Sequence, residues 1–551
     1  RFAAAEMRSR LCSLMGKERL PVTIGTFHGI YYGILRWTYR IGQKNLLSDN
    51  EKYQILRQVI RHQKLEIFDE GDFLKDIAFE IGKIKNQRIR PEEFISEKCE
   101  AAVFRQIYRE YEEQRKRRRK IDFDDMLVLC FQLFLSRPDV LRGWQKKFRY
   151  ILIDEFQDIN QIQYDVIRML ALPERNLFAV GDDDQAIYGF RGADSELMLR
   201  FKKDFPDASQ ILLGVNYRST SNIVTNSLKV IMHNTRRYEK ELKAERKGGP
   251  CLHIQEVKDV NEEAEYIAGE IEKSIRSGTK AEDIAVLFRT HTDARPVVEA
   301  LLARKLPFEM KEHLPNLYEH FIAKDIQAYF RLAMKCAGRQ DLLQVMNRPK
   351  RYLSRDSLQG KRASFEILRD YYRDKDWMTD RIDQFEWDVK MMEKMTPYAA
   401  ITYLRKRYDE YLKEYCISRH LKITDLSEIL SELEEAAKPY ETMEEWFSHI
   451  EEYTEALKKR ETGRNTPEKG IRLMTIHAAK GLEFDTVFVI QANEGRIPYK
   501  KAEKAEEIEE ERRLFYVAMT RAKNRLVFSY VKIKGGKEIL PSRFVDELLE
   551  K

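Results

Sequence analysis

Three short apolar runs recur about 30 residues apart in the first half of the sequence, each ending in polar residues. They read YILIDE (150–155), NLFAVGD (176–182) and QILLGVN (210–216), with helical periodicity between them. Parallel strands joined by helices have this spacing, because a crossover connection needs a dozen or more residues. The pattern therefore predicts an α/β core built on a parallel sheet.

A second set of strand-like runs follows in the C-terminal half, and a long helical stretch divides it. The runs are DIAVLFRT (283–290), IRLMTIH (471–477), DTVFVIQ (485–491) and NRLVFSYV (524–531). Residues 331–465, between the first and second of these runs, have helical periodicity and are rich in Leu, Glu, Lys and Arg. A similar block, residues 46–119, interrupts the first core. The sequence therefore predicts two α/β cores, each with a helical insertion.

Composition excludes several classes of protein. The 551 residues are 43% hydrophobic and 34% charged, and no apolar run approaches the roughly 20 residues of a membrane span. The six cysteines are isolated, which argues against a Cys-ligated metal site or a disulfide framework and favours the reducing cytoplasm. The net charge of +7 permits a polyanionic partner. Because the chain starts at Arg1 with neither Met nor a signal-like stretch, we expect it to be part of a longer protein.

Two adjacent carboxylates, Asp154 and Glu155, end the first apolar run. Ligands of parallel sheets bind beyond the carboxyl ends of the strands, where an Asp can hold Mg²⁺ and a Glu can activate water. Gln185 follows the next strand, where its amide could contact a terminal phosphate. An ordinary acidic pair in a loop is the alternative interpretation.

Aromatic residues interleaved with arginine follow two of the runs. Tyr188, Phe190 and Arg191 have the side chains that stack on bases and contact phosphates of single-stranded nucleic acid. Tyr217 and Arg218 could bind a nucleotide base and a phosphate in the same way. A loop whose aromatic residues cap a core is the alternative for the first group.

The C-terminal half could supply a second wall of a phosphate site. His477 and Glu483 lie in the connection between two predicted strands, and residues 509–526 form a predicted helix that carries Arg512, Arg513 and Arg521 and runs into the last strand. Such a helix can be solvated, or it can present an arginine to a triphosphate.

Six stretches, taken in order, resemble the motif series of the UvrD/Rep family of superfamily 1 DNA helicases. They are GTFHGI (25–30), DEFQD (154–158), GDDDQAIYGFRGAD (181–194), NYRST (216–220), TIHAAKGLEF (475–484) and YVAMTRAKNRL (516–526). The resemblance covers nearly the whole chain. It implies a monomeric motor that translocates 3′ to 5′ on single-stranded DNA, with ATP bound between two RecA-like domains of the P-loop NTPase type.

The resemblance also implies roles for individual residues. Asp154 and Glu155 would bind Mg²⁺ and activate water, and Gln185, Arg218 and Arg521 would surround the γ-phosphate of ATP. Tyr217 would stack on adenine, and Glu483 would approach the ribose. The residues expected along the DNA path are Thr26, Phe27, His28, Tyr188, Phe190, Arg191 and His477, and residues 1–11 resemble a stretch that follows another DNA contact.

The family also implies a division into four domains. The first RecA-like domain would comprise residues 1–45 and 120–220, and its helical insertion residues 46–119. The second would comprise residues 221–330 and 466–551, with residues 331–465 as its insertion. Single-stranded DNA and single/double-strand junctions are the expected partners.

One expected motif is absent. An ATPase of this kind needs a G-x-x-x-x-G-K-[ST] loop to hold the phosphates. The Gly-Lys pairs at 16–17, 82–83, 360–361 and 536–537 are followed by Glu, Ile, Arg and Glu. We therefore expect the loop to precede this chain in the natural protein, and the chain alone to be inactive. The alternatives are a DNA-binding or regulatory protein without ATPase activity and, less in keeping with the motifs, an RNA helicase.

Overall fold

The structure is a computed structural model that describes residues 2–18, 20–63, 70–172, 174–310, 316–358, 363–417, 423–462 and 469–550. Two compact units divide the chain, the first with residues 1–211 and 236–239 and the second with residues 212–235 and 240–551. The fold is α/β, with parallel sheets and many helices, as predicted. None of the described helices is long and apolar enough to cross a membrane. The four-domain division stays a prediction, and its boundary after residue 465 lies outside the described residues.

The first unit is mostly helical around a small parallel sheet. Its helices α2, α6 and α8 share one apolar core, and α3, α4 and α5 share another, within the predicted helical block. Its elements are α1 (Phe2–Met15), α2 (Phe27–Tyr39), α3 (Asp49–His62), α4 (Glu70–Gln87), α5 (Ala101–Arg117), α6 (Asp125–Ser136), α7 (Pro138–Lys147), β1 (Ile151–Ile153), α8 (Gln161–Ala171), β2 (Leu177–Ala179), α9 (Glu196–Leu199) and α10 (Phe201–Asp204).

One face of the first unit's sheet is apolar and exposed. Strands β1 and β2 pair in parallel, so that Leu152 lies opposite Phe178 on one face. These two side chains are 74% and 58% exposed, whereas Ile153, which points to the other face, is buried. Parallel sheets are normally covered on both faces. The side chains of Leu152 and Phe178 are apolar, as on the covered face of such a sheet.

An ionic cluster is buried between α4, α5 and α6. The Nζ atom of Lys85 lies 2.8 Å from Glu112, 2.7 Å from Asp122 and 2.8 Å from Asp125. The hydroxyl of Tyr111 donates to Asp122 at 2.9 Å. The three carboxylates therefore surround an ammonium group of the protein, and the Arg115 guanidinium adds a second cation, 2.6 Å from Glu112 and 2.8 Å from Asp125.

The second unit combines a large parallel sheet with a long helical segment. Its elements are β3 (Val215–Thr220), α11 (Ser221–Ile231), β4 (Lys243–Arg246), β5 (His253–Val257), α12 (Val260–Arg276), β6 (Ile284–Phe288), α13 (Arg295–Ala303), β7 (Phe308–Met310), α14 (Phe321–Ala333), α15 (Arg339–Val345), α16 (Phe365–Tyr371), α17 (Asp376–Met392), α18 (Pro397–Ile417), α19 (Ile423–Ala437), α20 (Met443–Thr462), β8 (Ile471–Thr475), α21 (Ile476–Ala479), β9 (Phe484–Val489), α22 (Ala505–Met519), β10 (Ala522–Val531), β11 (Ile533–Lys534), β12 (Lys537–Glu538) and α23 (Arg543–Leu549).

The six-stranded sheet has the order β5-β10-β9-β6-β8-β7, and every pair in it is parallel. All four strands predicted for the C-terminal half belong to this sheet. The predicted helical stretch is confirmed by α14 to α20, which share one apolar core with the sheet and begin earlier than predicted, at Phe321.

The third run of the first core was predicted wrongly. The strand covers Val215–Thr220 rather than residues 210–216, and it pairs in parallel with β4 in the second unit rather than with β1 or β2. The apolar side chains of Ile211, Leu212 and Leu213 precede this strand and are exposed. Hydrophobicity alone does not specify a strand's partner, and here the partner is the polar strand β4.

Candidate functional site

Asp154 and Glu155 lie at the carboxyl end of β1, and both side chains are exposed. The backbone N–H of Glu155 donates to Oδ1 of Asp154 at 3.0 Å. Glu155 has a φ of 53°, a left-handed conformation that non-glycine residues rarely adopt. Strained backbone of this kind is often found at functional sites. The chain therefore presents two carboxylates to solvent at the edge where ligands of parallel sheets bind.

Gln157 connects Glu155 to the loop after β2. Its side chain is fully buried, and its Nε2 atom donates to Oε2 of Glu155. Its Oε1 atom accepts from the backbone N–H of Asp182 at 3.0 Å. A Cβ atom at Gly181 would lie only 2.5 Å from that Oε1 atom, so this approach needs a glycine.

Asp182 continues the connection to Gln185. Its Oδ2 atom accepts from Nε2 of Gln185 at 2.8 Å, and its Oδ1 atom accepts from the N–H of Asp184 at 3.2 Å. Hydrogen bonds thus link Glu155, Gln157, Asp182 and Gln185 in sequence. The structure brings together the three residues predicted for the first half of an ATP site, Asp154, Glu155 and Gln185.

A second group of predicted residues lies together in the second unit. Nε of Arg218 donates to Oε2 of Glu483 at 2.6 Å, and Lys523 approaches the other oxygen of Glu483 at 2.8 Å. The hydrogen bonds from Lys523 and Arg218 lower the pKa of Glu483. Tyr217 precedes Arg218 on β3 and is 72% exposed. An exposed ring beside an arginine is suited to a nucleotide base and its phosphates.

Arg521 adjoins this group, but its side chain is only 1% exposed. Its Nε and Nη1 atoms donate to the carbonyls of Val517 at 3.0 Å and Leu482 at 3.2 Å. Arg512 is also buried, and it pairs with Glu547 at 2.7 Å. The helix predicted to carry these arginines ends at Met519, and its arginine side chains are enclosed rather than solvated.

Among the DNA-contact candidates, Thr26, Phe27 and His28 form the start of α2. The Thr26 hydroxyl accepts from the N–H of Gly29 at 3.2 Å and caps the helix. The His28 ring lies 4.6 Å from the ring of Phe123, which is 57% exposed. Burial lowers the pKa of His28, and nearby Asp124 opposes this shift. His28 is therefore neutral at pH 7, and its pairing with Phe123 is an aromatic contact.

Tyr188, Phe190 and Arg191 form a second aromatic group in the first unit. The two rings are 6.1 Å apart, and the Arg191 guanidinium lies 5.2 Å from the Tyr188 ring and 5.3 Å from the Phe190 ring. Phe190 and Arg191 are both exposed, so the group has an accessible ring and an accessible cation.

Asn86 lies close to both aromatic groups of the first unit. A Cβ atom at Gly192, next to Arg191, would lie 3.6 Å from Cβ of Asn86. Nδ2 of Asn86 donates to Asp124, next to Phe123, at 2.9 Å. The two groups therefore border the same end of α4. His477, the remaining candidate, is half-buried on α21 of the second unit.

The carboxylates suited to Mg²⁺ are those of Asp154 and Glu155, because both are exposed and oxygen ligands are preferred. Asp182, Asp183 and Asp184 also lie close together. However, Asp184 binds Arg237, Asp183 accepts from the N–H of Tyr238, and Asp182 accepts from Gln185. Hydrogen-bond donors of the protein therefore already contact all three carboxylates of this second cluster.

Reasoning from the sequence did not find Gln157, Phe123, Lys523 or Arg237. Phe123 follows a basic run, RKRRRK (115–120), and its position between Asp122 and Asp124 was the visible signal in the sequence. Gln157 belongs to the motif DEFQD (154–158), and only its buried position and its hydrogen bonds show that it connects two loops.

Comparisons with known proteins match both halves of the chain. The UvrD/REP helicase N-terminal domain family matches residues 1–206, and the UvrD-like helicase C-terminal domain family matches residues 211–533. YjcD of Bacillus subtilis (strain 168) is 35% identical over 577 aligned residues that cover all of this chain and 74% of YjcD. The ATP-dependent DNA helicases PcrA of Staphylococcus epidermidis and Staphylococcus aureus are each 31% identical, with the whole chain and 79% and 78% of the relatives covered.

Proposed function

The chain belongs to the UvrD-like family of DNA helicases, and on that premise we propose that it uses ATP hydrolysis to translocate 3′ to 5′ along single-stranded DNA. Opening of single/double-strand junctions follows from such movement. The observation that carries the proposal is the hydrogen-bonded series from Glu155 through Gln157 and Asp182 to Gln185 at the ends of β1 and β2.

Each residue of the first unit's site has a proposed task in hydrolysis. Asp154 holds Mg²⁺, which offsets phosphate charge when bound, and Glu155 takes the proton of the attacking water. Gln185 donates its amide to the γ-phosphate. The bond from Gln157 limits the rotation of the Glu155 carboxylate, so the base is oriented before the reaction.

The second unit contributes recognition of the nucleotide. Tyr217 stacks on adenine with its exposed ring, and Glu483 approaches the ribose. Arg218 and Arg521 offset negative charge on the γ-phosphate. For Arg521 this requires its Nη1 atom to leave the carbonyl of Leu482, which it now contacts at 3.2 Å.

DNA binding is proposed for both aromatic groups of the first unit and for His477. Phe123 and Phe190 supply exposed rings for base stacking, and Arg191 and the backbone around Thr26 supply contacts to phosphate. The chain is expected to act as a monomer, which light scattering would test.

The direction of movement along DNA is tested with the full-length natural protein. Strand separation is measured on matched duplexes with a 3′ or a 5′ single-stranded tail. The proposal predicts ATP-dependent opening of the duplex with the 3′ tail. Equal opening of both duplexes, or preference for the 5′ tail, would contradict the direction.

The phosphate-binding loop is proposed to lie upstream of this chain in the natural protein. The exposed apolar face around Leu152 and Phe178 supports a preceding segment that covers the sheet of the first unit. The purified 551-residue chain should then show no DNA-stimulated ATP hydrolysis. Turnover by this chain above background would refute the role assigned to the missing loop.

A second candidate function is a DNA-binding or regulatory protein without ATPase activity. It is favoured by the absence of a G-x-x-x-x-G-K-[ST] sequence from the 551 residues. The coding sequence upstream of Arg1 distinguishes the two candidates. An in-frame phosphate loop there supports the motor, and a native start codon next to Arg1 supports the regulatory protein.

A further inference from the structure

Residues 236–239 belong to the first unit although the chain on both sides of them belongs to the second. Within the first unit, they contact the 3-10 turn Asp183–Gln185 that carries the proposed γ-phosphate contact. None of the stretches that resemble helicase motifs includes them.

Arg237 makes the strongest of these contacts. Its Nε and Nη2 atoms donate to Oδ1 and Oδ2 of Asp184 at 2.9 Å and 2.8 Å. The side chains are 11% and 1% exposed, so this two-pronged ion pair is shielded from solvent. Paired hydrogen bonds of this kind fix both distance and orientation.

Tyr238 adds two contacts to the same part of the unit. Its backbone N–H donates to Oδ2 of Asp183 at 2.8 Å, and its hydroxyl donates to the carbonyl of Met198 at 2.6 Å. The three-residue turn is thus held by Arg237 and Tyr238 from one side and by Asp182 from the other.

The position of this turn affects the groups proposed to act on ATP. Asp182 begins the turn, binds the Gln185 amide and donates its N–H to Gln157, which in turn binds Glu155. If the turn shifts, the amide of Gln185 and the carboxylate of Glu155 lose their common support. Displacements of about 1 Å can reduce catalysis roughly 100-fold.

We propose that Arg237 is a positioning residue that, through Asp184, holds the turn carrying Gln185 in the geometry needed for ATP hydrolysis. This role rests on the proposed function of Glu155 and Gln185. The residues just before it, Asn234 and Thr235, are bound in the second unit, where Thr235 donates its N–H and hydroxyl to Glu509 of α22 at 2.7 Å and 2.8 Å.

The test compares variants of the natural protein in full by steady-state ATP hydrolysis on single-stranded DNA. Arg237→Ala should lower kcat roughly tenfold or more, with an unchanged affinity for a fluorescent ATP analogue, because the lost contact orients reacting groups and does not bind ATP. Arg237→Lys, which keeps the charge but not the paired hydrogen bonds, should lie between Arg237→Ala and the natural protein.

Arg236→Ala is the matched control, because Arg236 is the neighbouring residue, is 53% exposed and lies 3.8 Å from its ion-pair partner Glu196. Its kcat should stay within about twofold of the natural value. If Arg237→Ala does not fold, as judged by circular dichroism, Arg237→Lys decides the question. A natural kcat in a folded Arg237 variant would overturn the positioning role, whereas absence of turnover in the natural protein would instead refute the proposed function.

Discussion

At the level of single residues, the candidate DNA-contact site depends on contacts between side chains that lie far apart in the sequence. His28 and Phe123 are 95 positions apart in the chain, and their rings lie 4.6 Å from each other. The resemblance predicted His28, but only the structure identifies the exposed ring beside it. Phe123 is therefore a candidate for stacking on a DNA base.

Replacement of this ring tests its role. Phe123→Ala should weaken single-stranded DNA binding by roughly 5- to 150-fold, because one base–aromatic stack contributes about 1–3 kcal/mol. Tyr39→Ala is the control, since Tyr39 is an exposed aromatic residue at the opposite end of α2 from His28. Fluorescence anisotropy with a labelled oligonucleotide measures both affinities. Equal affinities of the two variants would exclude Phe123 from the DNA path.

At the scale of elements, buried charge fixes how helices pack. Lys85 on α4 and Arg115 on α5 together pair with Glu112 on α5 and with Asp122 and Asp125, just before and at the start of α6. Asn86, the next residue on α4, contacts Asp124 beside the DNA-contact candidates. The ionic cluster thus sets the position of the helix end that both aromatic groups border.

Removal of the Lys85 ammonium group should destabilise the first unit. Lys85→Ala leaves the buried Asp122 without its ion pair, while Glu112 and Asp125 keep Arg115, and should lower the free energy of unfolding of the first unit by about 3–5 kcal/mol. Lys83→Ala, an exposed position on the same helix, should change it by less than about 0.5 kcal/mol. Urea denaturation followed by circular dichroism measures both values. A similar small change in both variants would show that the cluster does not stabilise the packing.

In the second unit, Glu263 of α12 makes stability depend on pH. It is buried and accepts from the N–H of Gln491 at 2.9 Å, with Lys534 and Asp293 as charged neighbours, and burial raises its pKa to about 7. The folded state therefore holds this proton more tightly than the unfolded state does. The stabilisation is complete below the unfolded pKa and is lost as pH rises through 7.

Glu263→Gln should remove this pH dependence. Between pH 4.5 and 8 the natural chain loses about 3 kcal/mol through this group, and the variant does not. Calorimetric melting at pH 5 and pH 8 checks the sign: the variant should gain stability relative to the natural chain at pH 8. An identical pH dependence in the two proteins would contradict a raised pKa at Glu263.

At the scale of the whole molecule, the sequence predicted the α/β class and all four C-terminal strands because their apolar runs are long and buried. It missed β5 and β7, which are the edge strands of the sheet; the run HIQEV in β5 is only partly apolar. It misplaced β3, because the partner β4 lies farther along the chain and is polar. Pairing is a non-local property that the local pattern does not contain.

The candidate site, like the fold, was predicted only in part. The motif series predicted Asp154, Glu155 and Gln185, and the structure brings them together through Gln157, whose bonding follows from burial rather than from spacing. For the second unit, the motif series predicted Arg218 and Glu483, and these two residues form an ion pair at 2.6 Å. The enclosure of Arg521 was not predictable, since it depends on the carbonyls of residues in two separate segments.

ATP turnover by the full-length natural protein decides whether Glu155 activates water in a DNA-stimulated ATPase. With single-stranded DNA present, the natural protein should hydrolyse ATP, and Glu155→Gln should lower kcat by about 10²–10⁴-fold while the affinity for ATP stays within about twofold. Normal turnover by Glu155→Gln, under conditions where the natural protein is active, would remove Glu155 from this role.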